Sequence, residues 1–230
     1  MNQAITMHGW AGDASNWRHW REELMAAGWH WSDGERGYGD LPPRVPHWHP
    51  EPGRRLLIAH SLGVHLLNDS VIETATDVVL LGSFGRFVPS GRAGRAIRAG
   101  LAGMAAALGS SEETGMLERF LARAAQPLPL SALPPSPLLG GVTAAGRSRL
   151  AADLTLLQEC SELPAAFPAD ARVLVVQGEL DAIVPASSQQ ELTAALPGER
   201  IEIVALPDWG HALISRPVLA TVRAWLEVGP

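Results

Sequence analysis

The chain has 230 residues, enough for one domain with an insertion and for a core that buries about 70% or more of the unfolded surface. Hydrophobic residues make up 47% and charged residues 18%, the balance of an ordinary soluble globular protein. All 18 basic residues are arginine and none is lysine, which excludes a lysine Schiff base, pyridoxal-phosphate chemistry and a phosphate-binding P-loop, while the net charge of −6 argues against a general nucleic-acid binder.

Residues 4–7 are a short apolar run stopped by Gly9, the mark of a buried strand. Asp13-Ala14-Ser15-Asn16 supplies helix-start chemistry, and Trp17, Trp20, Leu24 and Met25 then recur at helical spacing up to Gly28. Residues 54–59 form a second strand that runs into His60-Ser61-Leu62-Gly63 and a helix to about Glu73. Residues 77–81, 172–177 and 200–206 are three further strands, and Pro217 opens a last helix. Apolar strands alternating with helices predict an α/β fold, a parallel sheet covered on both faces.

Residues 86–163 differ in character and read as a helical lid inserted into a core of residues 1–85 and 164–230. Helices are expected at about 92–108, from Ser110 with Glu113 in a capping box, and at about 144–159, separated by a proline run that neither neighbouring helix can continue. No apolar run approaches the ~20 residues that cross a bilayer. The first eight residues lack the basic and apolar segments of a secretory signal, and the single cysteine, Cys160, has no internal disulfide partner. A cytoplasmic protein, without membrane or nucleic-acid partners, is expected.

The sharpest motif is Ala59-His60-Ser61-Leu62-Gly63 between a strand and a helix. A serine there sits on a tight turn with its hydroxyl projecting from the sheet edge, and small neighbours are needed for strand and helix to pack closely. Glycine is usual at both flanking places, so Ala59 is a departure; the bland alternative is an ordinary strand–helix junction. A serine nucleophile needs a base, because a free hydroxyl is hardly ionised near neutral pH. His211, in Pro207-Asp208-Trp209-Gly210-His211 after the last strand, is the one histidine in the C-terminal part of the chain. His8, His19, His30, His47, His49, His60 and His65 read as packing or surface residues. His47 and His49 lack further ligands, so no metal is expected.

An acid must orient the imidazole, and Asp181 in Gly178-Glu179-Leu180-Asp181 is preferred over Glu179 and Asp208, because the order Ser, Asp, His is the one this turn motif brings with it. Two backbone N–H donors are needed for the oxyanion. Leu62, after the nucleophile, offers one, and Trp10 in His8-Gly9-Trp10-Ala11-Gly12 offers the other.

Together these segments resemble the α/β-hydrolase superfamily over essentially the whole chain, in a compact form. His8-Gly9-Trp10, the short lid and residues 156–163 more narrowly resemble the biotin-pathway pimeloyl-acyl-carrier-protein methyl ester esterases. The resemblance implies a cofactor-free serine carboxylesterase, expected to be a monomer, acting on a small or carrier-linked ester. Rival readings are a general short-chain carboxylesterase or thioesterase, and a catalytically silent fold used for binding.

Eight arginines lie between residues 86 and 149, against three glutamates, so that segment carries +5 and the rest of the chain −11. Arg92, Arg95 and Arg98 share one side of a helix, Arg119 and Arg123 are one turn apart, and Arg147 and Arg149 follow. They read either as solvated helix faces or as a docking surface for an acidic carrier protein and its phosphate-bearing arm. Leu101, Met104, Leu108, Met116, Leu117 and Phe120 are candidates to line an acyl channel.

Overall fold

The computed structural model describes residues 1–228 and contains one six-stranded, all-parallel sheet. The strands are β1 (Gln3–Met7), β2 (His30–Asp33), β3 (Arg55–His60), β4 (Asp77–Leu81), β5 (Arg172–Gly178) and β6 (Ile201–Leu206), in the spatial order β2-β1-β3-β4-β5-β6. Five lie within one residue of the expected boundaries. The sixth, β2, escaped the sequence pattern because His30-Trp31-Ser32-Asp33 is a short, half-exposed edge strand with no apolar run.

α1 (Arg18–Ala26) and α7 (Arg216–Glu227) cover one face, α2 (Asp69–Ile72) and α6 (Ala186–Ala195) the other, and α3 (Gly91–Ala107), α4 (Glu113–Ala125) and α5 (Ala144–Glu159) lie between β4 and β5 in the chain. Successive strand residues point to opposite faces, which divides the core in two. Leu56, Ile58, Val79, Leu81, Leu174 and Val176 meet Trp17, Trp20 and Leu24 on one side together with Val218, Val222 and Trp225 of α7. Leu57, Ala59, Val78, Leu80, Val173 and Val175 meet Val71, Ile72, Phe167 and Leu192 on the other. Truncating a fully buried member such as Leu57 to alanine costs about 2–5 kcal/mol.

Two local expectations are corrected. The segment after Ser61 is not one helix to Glu73: a 3-10 turn, Ser61–Leu66, ends at an extended Leu67 before the short α2. That turn is pressed against β1, so that a Cβ on Gly63 would lie 2.5 Å from the Met7 carbonyl oxygen, and His65 donates to the Phe84 carbonyl at 2.8 Å instead of facing solvent. Glu113 does not close a capping box with Ser110 either. Its carboxylate accepts from Gly109 N at 2.6 Å and from Arg147 Nε and Nη2 at 2.5 and 2.9 Å, so α4 begins at Glu113 itself.

Residues 86–163 hold α3, α4, α5 and connecting turns, and the ends of this insertion meet where Arg86 and Ser161 form an antiparallel bridge. Its apolar side chains, among them Leu101, Met116, Leu117, Leu150 and Leu154, pack with Trp10, Leu62, Phe84, Phe87 and Val184 in a third cluster. The insertion therefore sits over the carboxyl ends of the strands. β1 leads to β2 on one side and β3 lies on its other side, so the chain reverses direction across the sheet between β1 and β3. The loops leaving those two strands flank that reversal, the place where open parallel sheets bind ligands.

Candidate active site

The loop after β1 and the turn after β3 meet at that reversal. Ser61 has φ of 56°, a left-handed conformation that an L residue holds only under local strain of about 1–3 kcal/mol, and it is largely buried. The approach is close enough that a Cβ on Gly9 would lie 2.7 Å from Ser61 Cβ, which accounts for glycine at that position. Ala59 is fully buried and its carbonyl accepts from Ser83 Oγ at 3.2 Å, so the departure from glycine is accommodated in the core.

β5 and β6 end at the same edge. His211 is buried, and its Nδ1 lies 2.8 Å from Asp181 Oδ2. The other oxygen, Asp181 Oδ1, accepts from the amides of Ile183 and Val184 at 2.7 and 2.9 Å. Burial alone would raise the Asp181 carboxyl, but the His211 charge, its hydrogen bond and the two amides outweigh it and hold the group below the ordinary aspartate value. Glu179 and Asp208 are exposed, and it is Asp181 that reaches the imidazole.

Two residues of this site were missed in the sequence. His60, read as a packing or surface residue, donates from Nε2 to the carbonyl oxygen of His211 at 2.9 Å. Gly82, at φ +51°, forms the floor under the pair: a Cβ there would lie 3.3 Å from His211 Nδ1 and 3.5 Å from Asp181 Oδ2. The only available signal was its place directly after a strand, in Leu81-Gly82-Ser83.

Gly9 to Gly12 is a turn closed by Gly12 N to Gly9 O at 3.1 Å, with Ala11 at φ 56°. Trp10 is buried, donates from Nε1 to Leu150 O at 3.0 Å and meets the Phe120 ring edge-on at 4.7 Å. Leu62 is fully buried beside Ser61.

Above Ser61 opens a cavity of about 610 Å³ between the sheet and the insertion. Leu101, Met104, Met116 and Phe120 line it, with Phe87, Ile97, Leu157 and Ile183, whereas Leu108 and Leu117 do not. Leu117 is instead fully buried in the insertion's own core. Arg119 and Arg123 are the charged side chains in the lining, and Arg123 Nε donates to Ala182 O at 2.6 Å. Arg92, Arg95 and Arg98 are exposed on α3 and do not line the cavity. Arg147 is engaged with Glu113, and Arg149 donates to Gly37 O at 3.0 Å. A second cavity of about 500 Å³ lies around Arg54, Asp77 and Arg172, at the opposite ends of the strands from Ser61.

Among the described residues no group of three or more His, Cys, Asp or Glu side chains is placed to hold a metal, and no helix is long and apolar enough to cross a membrane.

No family model matches the sequence, and comparison with curated proteins finds no relative. Solved structures do share its architecture. A bromoperoxidase from Bacillus anthracis is similar with a TM-score of 0.70 at 14% identity, over 98% of this chain and 91% of that one. An esterase from Exiguobacterium antarcticum has a TM-score of 0.69 at 13% identity, over 99% and 92%. A thermophilic esterase from Thermogutta terrifontis has 0.65 at 18%, over 99% and 90%. The chain has the α/β-hydrolase fold. At these identities the likeness extends to the fold and no further.

Proposed function

We propose that this protein is a serine hydrolase that cleaves carboxylic esters. The observation that carries the reading is the buried His211 Nδ1–Asp181 Oδ2 pair at 2.8 Å, at the same sheet edge as a strained, left-handed Ser61. His211 takes the proton from Ser61 Oγ as it attacks the ester carbonyl, and the oxygen of the tetrahedral intermediate is held by the amides of Trp10 and Leu62. The imidazolium then gives its proton to the departing alcohol. In the second half His211 deprotonates a water, which attacks the acyl-enzyme carbonyl, and then returns that proton to Ser61 Oγ as the acyl–oxygen bond breaks and the acid is freed. Asp181, kept ionised, stabilises the imidazolium in both halves.

The finer reading is hydrolysis of a pimeloyl methyl ester on an acyl carrier protein, in the cytoplasm. Its support is the motif resemblance, the apolar cavity with Arg119 and Arg123 in its lining, and the exposed arginines of α3. Two of the three similar structures are of proteins described as esterases, which agrees with the coarser reading.

The coarser claim is tested by Ser61→Ala on a p-nitrophenyl ester: turnover should fall by roughly four to six orders of magnitude with the circular dichroism spectrum unchanged. Near-normal turnover would remove Ser61 as nucleophile. The finer claim is tested by complementing a biotin-requiring strain that lacks its own esterase. Growth supports the carrier-linked substrate, and failure by an enzyme active on small esters points to a general short-chain esterase.

A further inference from the structure

Asp153 of α5 is 1% exposed, and its carboxylate takes three hydrogen bonds from the loop that follows β2. Arg36 gives two of them, from Nε at 2.7 Å and Nη2 at 2.6 Å, and the Tyr38 hydroxyl gives the third at 2.6 Å. A bidentate guanidinium–carboxylate pair fixes direction as well as distance, so this contact places the Arg36 backbone. The Arg36 N–H donates to His8 Nε2 at 3.2 Å, and His8 Nδ1 donates to the Gly9 carbonyl oxygen at 2.9 Å. The His8 ring, donating from Nδ1 and accepting at Nε2, makes both bonds, and the same Nε2 lies 3.4 Å from Glu35 Oε1.

The Gly9 carbonyl and the Trp10 N–H belong to one planar trans peptide and point in opposite directions. Holding the oxygen therefore aims the N–H. Glu35 braces the same frame, accepting from Ala14 N at 2.8 Å and Gly37 N at 2.6 Å, and so clasps the loop after β1 to the loop after β2. From the same helix as Asp153, Leu150 O holds the Trp10 indole, and Gly146 packs so close to the Tyr38 carbonyl that a Cβ would collide with it. α5 is thus fastened to the core rather than resting on it.

We propose that Asp153 is a positioning residue for the oxyanion hole, acting through Arg36 and His8 on the Gly9–Trp10 peptide to aim the Trp10 N–H at the substrate oxygen. The proposal rests on the reading of Ser61 as nucleophile and Trp10 as oxyanion donor. Asp153 itself touches none of the reacting atoms.

The test compares Asp153→Asn and Arg36→Lys with Glu113→Gln of α4, which weakens that residue's pair with Arg147 of α5 but lies off the path. Each variant is assayed well below its melting temperature on a p-nitrophenyl ester. Each is also titrated with a trifluoromethyl ketone, which adds Ser61 Oγ to its carbonyl carbon and leaves an oxyanion in the hole. Asp153→Asn and Arg36→Lys should lower kcat by about tenfold to hundredfold, with KM changed by no more than about twofold. Their affinity for the ketone should weaken in proportion, because the misaimed Trp10 N–H is a donor to the charged oxygen alone. Glu113→Gln should do neither. Should Asp153→Asn fold poorly, Tyr38→Phe removes one of the three bonds and should give the same pattern at smaller size. Unchanged kcat and ketone affinity in the folded variants would overturn the proposal, as would an equal loss in Glu113→Gln. Retained turnover in Ser61→Ala would bring down the nucleophile reading instead, a result distinguishable from both.

Discussion

Nε2 of His60 donates to the main-chain oxygen of His211, and the two imidazoles lie 4.7 Å apart. The residue before Ser61 thus pins the backbone of the proposed base, joining the end of β3 to the loop after β6. Burial, and then the neighbouring His211 charge, push His60 down to about 3, so it stays neutral in the folded protein.

That neutrality has a signature in stability. An unfolded histidine titrates near about 6.5, so between there and about 3 the unfolded chain binds a proton that the folded one does not. The contribution is fully present above the unfolded value and is lost as pH falls through the window. Tm of the wild type should fall more steeply than that of His60→Gln between about pH 7 and about pH 4. Parallel slopes would mean that His60 is protonated in the fold.

Asp181→Asn should lower kcat by roughly 10⁴-fold, since an amide holds the wrong imidazole tautomer and cannot stabilise the imidazolium. Asp208→Asn, at an exposed position, should leave kcat within about twofold. Steady-state kinetics of the two variants settle the choice of acid, and a larger loss in Asp208→Asn would move the proposed role from Asp181 to Asp208.

Gly82→Ala adds a Cβ 3.3 Å from His211 Nδ1 at a residue with positive φ. The imidazole or the strand end must shift, and kcat should drop about tenfold or more while substrate binding changes little. A variant with normal kcat and a crystal structure showing His211 unmoved would remove this role from Gly82.

The arginines of the insertion should separate into groups. Replacing Arg92, Arg95 and Arg98 with alanine should raise KM for a carrier-linked ester, leave a small free ester unaffected, and do so less at high salt, as exposed charges are screened over about 10 Å or less. Arg147→Ala should instead lower Tm, because it leaves the buried Glu113 carboxylate with Gly109 N alone among its partners here. A carrier KM unchanged in the triple variant would return the three arginines to plain solvated surface.

Much of this architecture was legible because it follows period and punctuation. Runs of four mostly apolar residues, at 4–7, 56–59, 78–81 and 173–176, marked β1, β3, β4 and β5, and the strand-to-turn passage through Ala59-His60-Ser61 marked the candidate site. Asp181 was reached through chain order, since Asp208 is nearer to His211 in sequence. What was illegible depends on contacts between distant segments. His60, half-buried, and Asp153, buried, are held by tertiary partners 151 and 115–117 positions away, and neither leaves a trace in hydrophobic periodicity. Arg147 and Arg149 looked like free surface charge for the same reason, although one is held by Glu113 and the other by the Gly37 carbonyl.

The bridge between Arg86 and Ser161 means that the insertion leaves and rejoins the sheet at one point, between two strands already hydrogen-bonded to each other. A segment attached in that way can be shortened, lengthened or exchanged without altering the register of any strand, so this core is suited to the recruitment of new substrate pockets. Exchange carries one condition. A foreign segment without an acid in the place of Asp153 would strand the guanidinium of Arg36 and the hydroxyl of Tyr38 without their shared acceptor. The freely variable part is therefore α3, where Gly100 and Gly103 have open space around them, and chimeras that replace it while keeping α5 and Glu113, the partner of Arg147, are the ones this scaffold should tolerate.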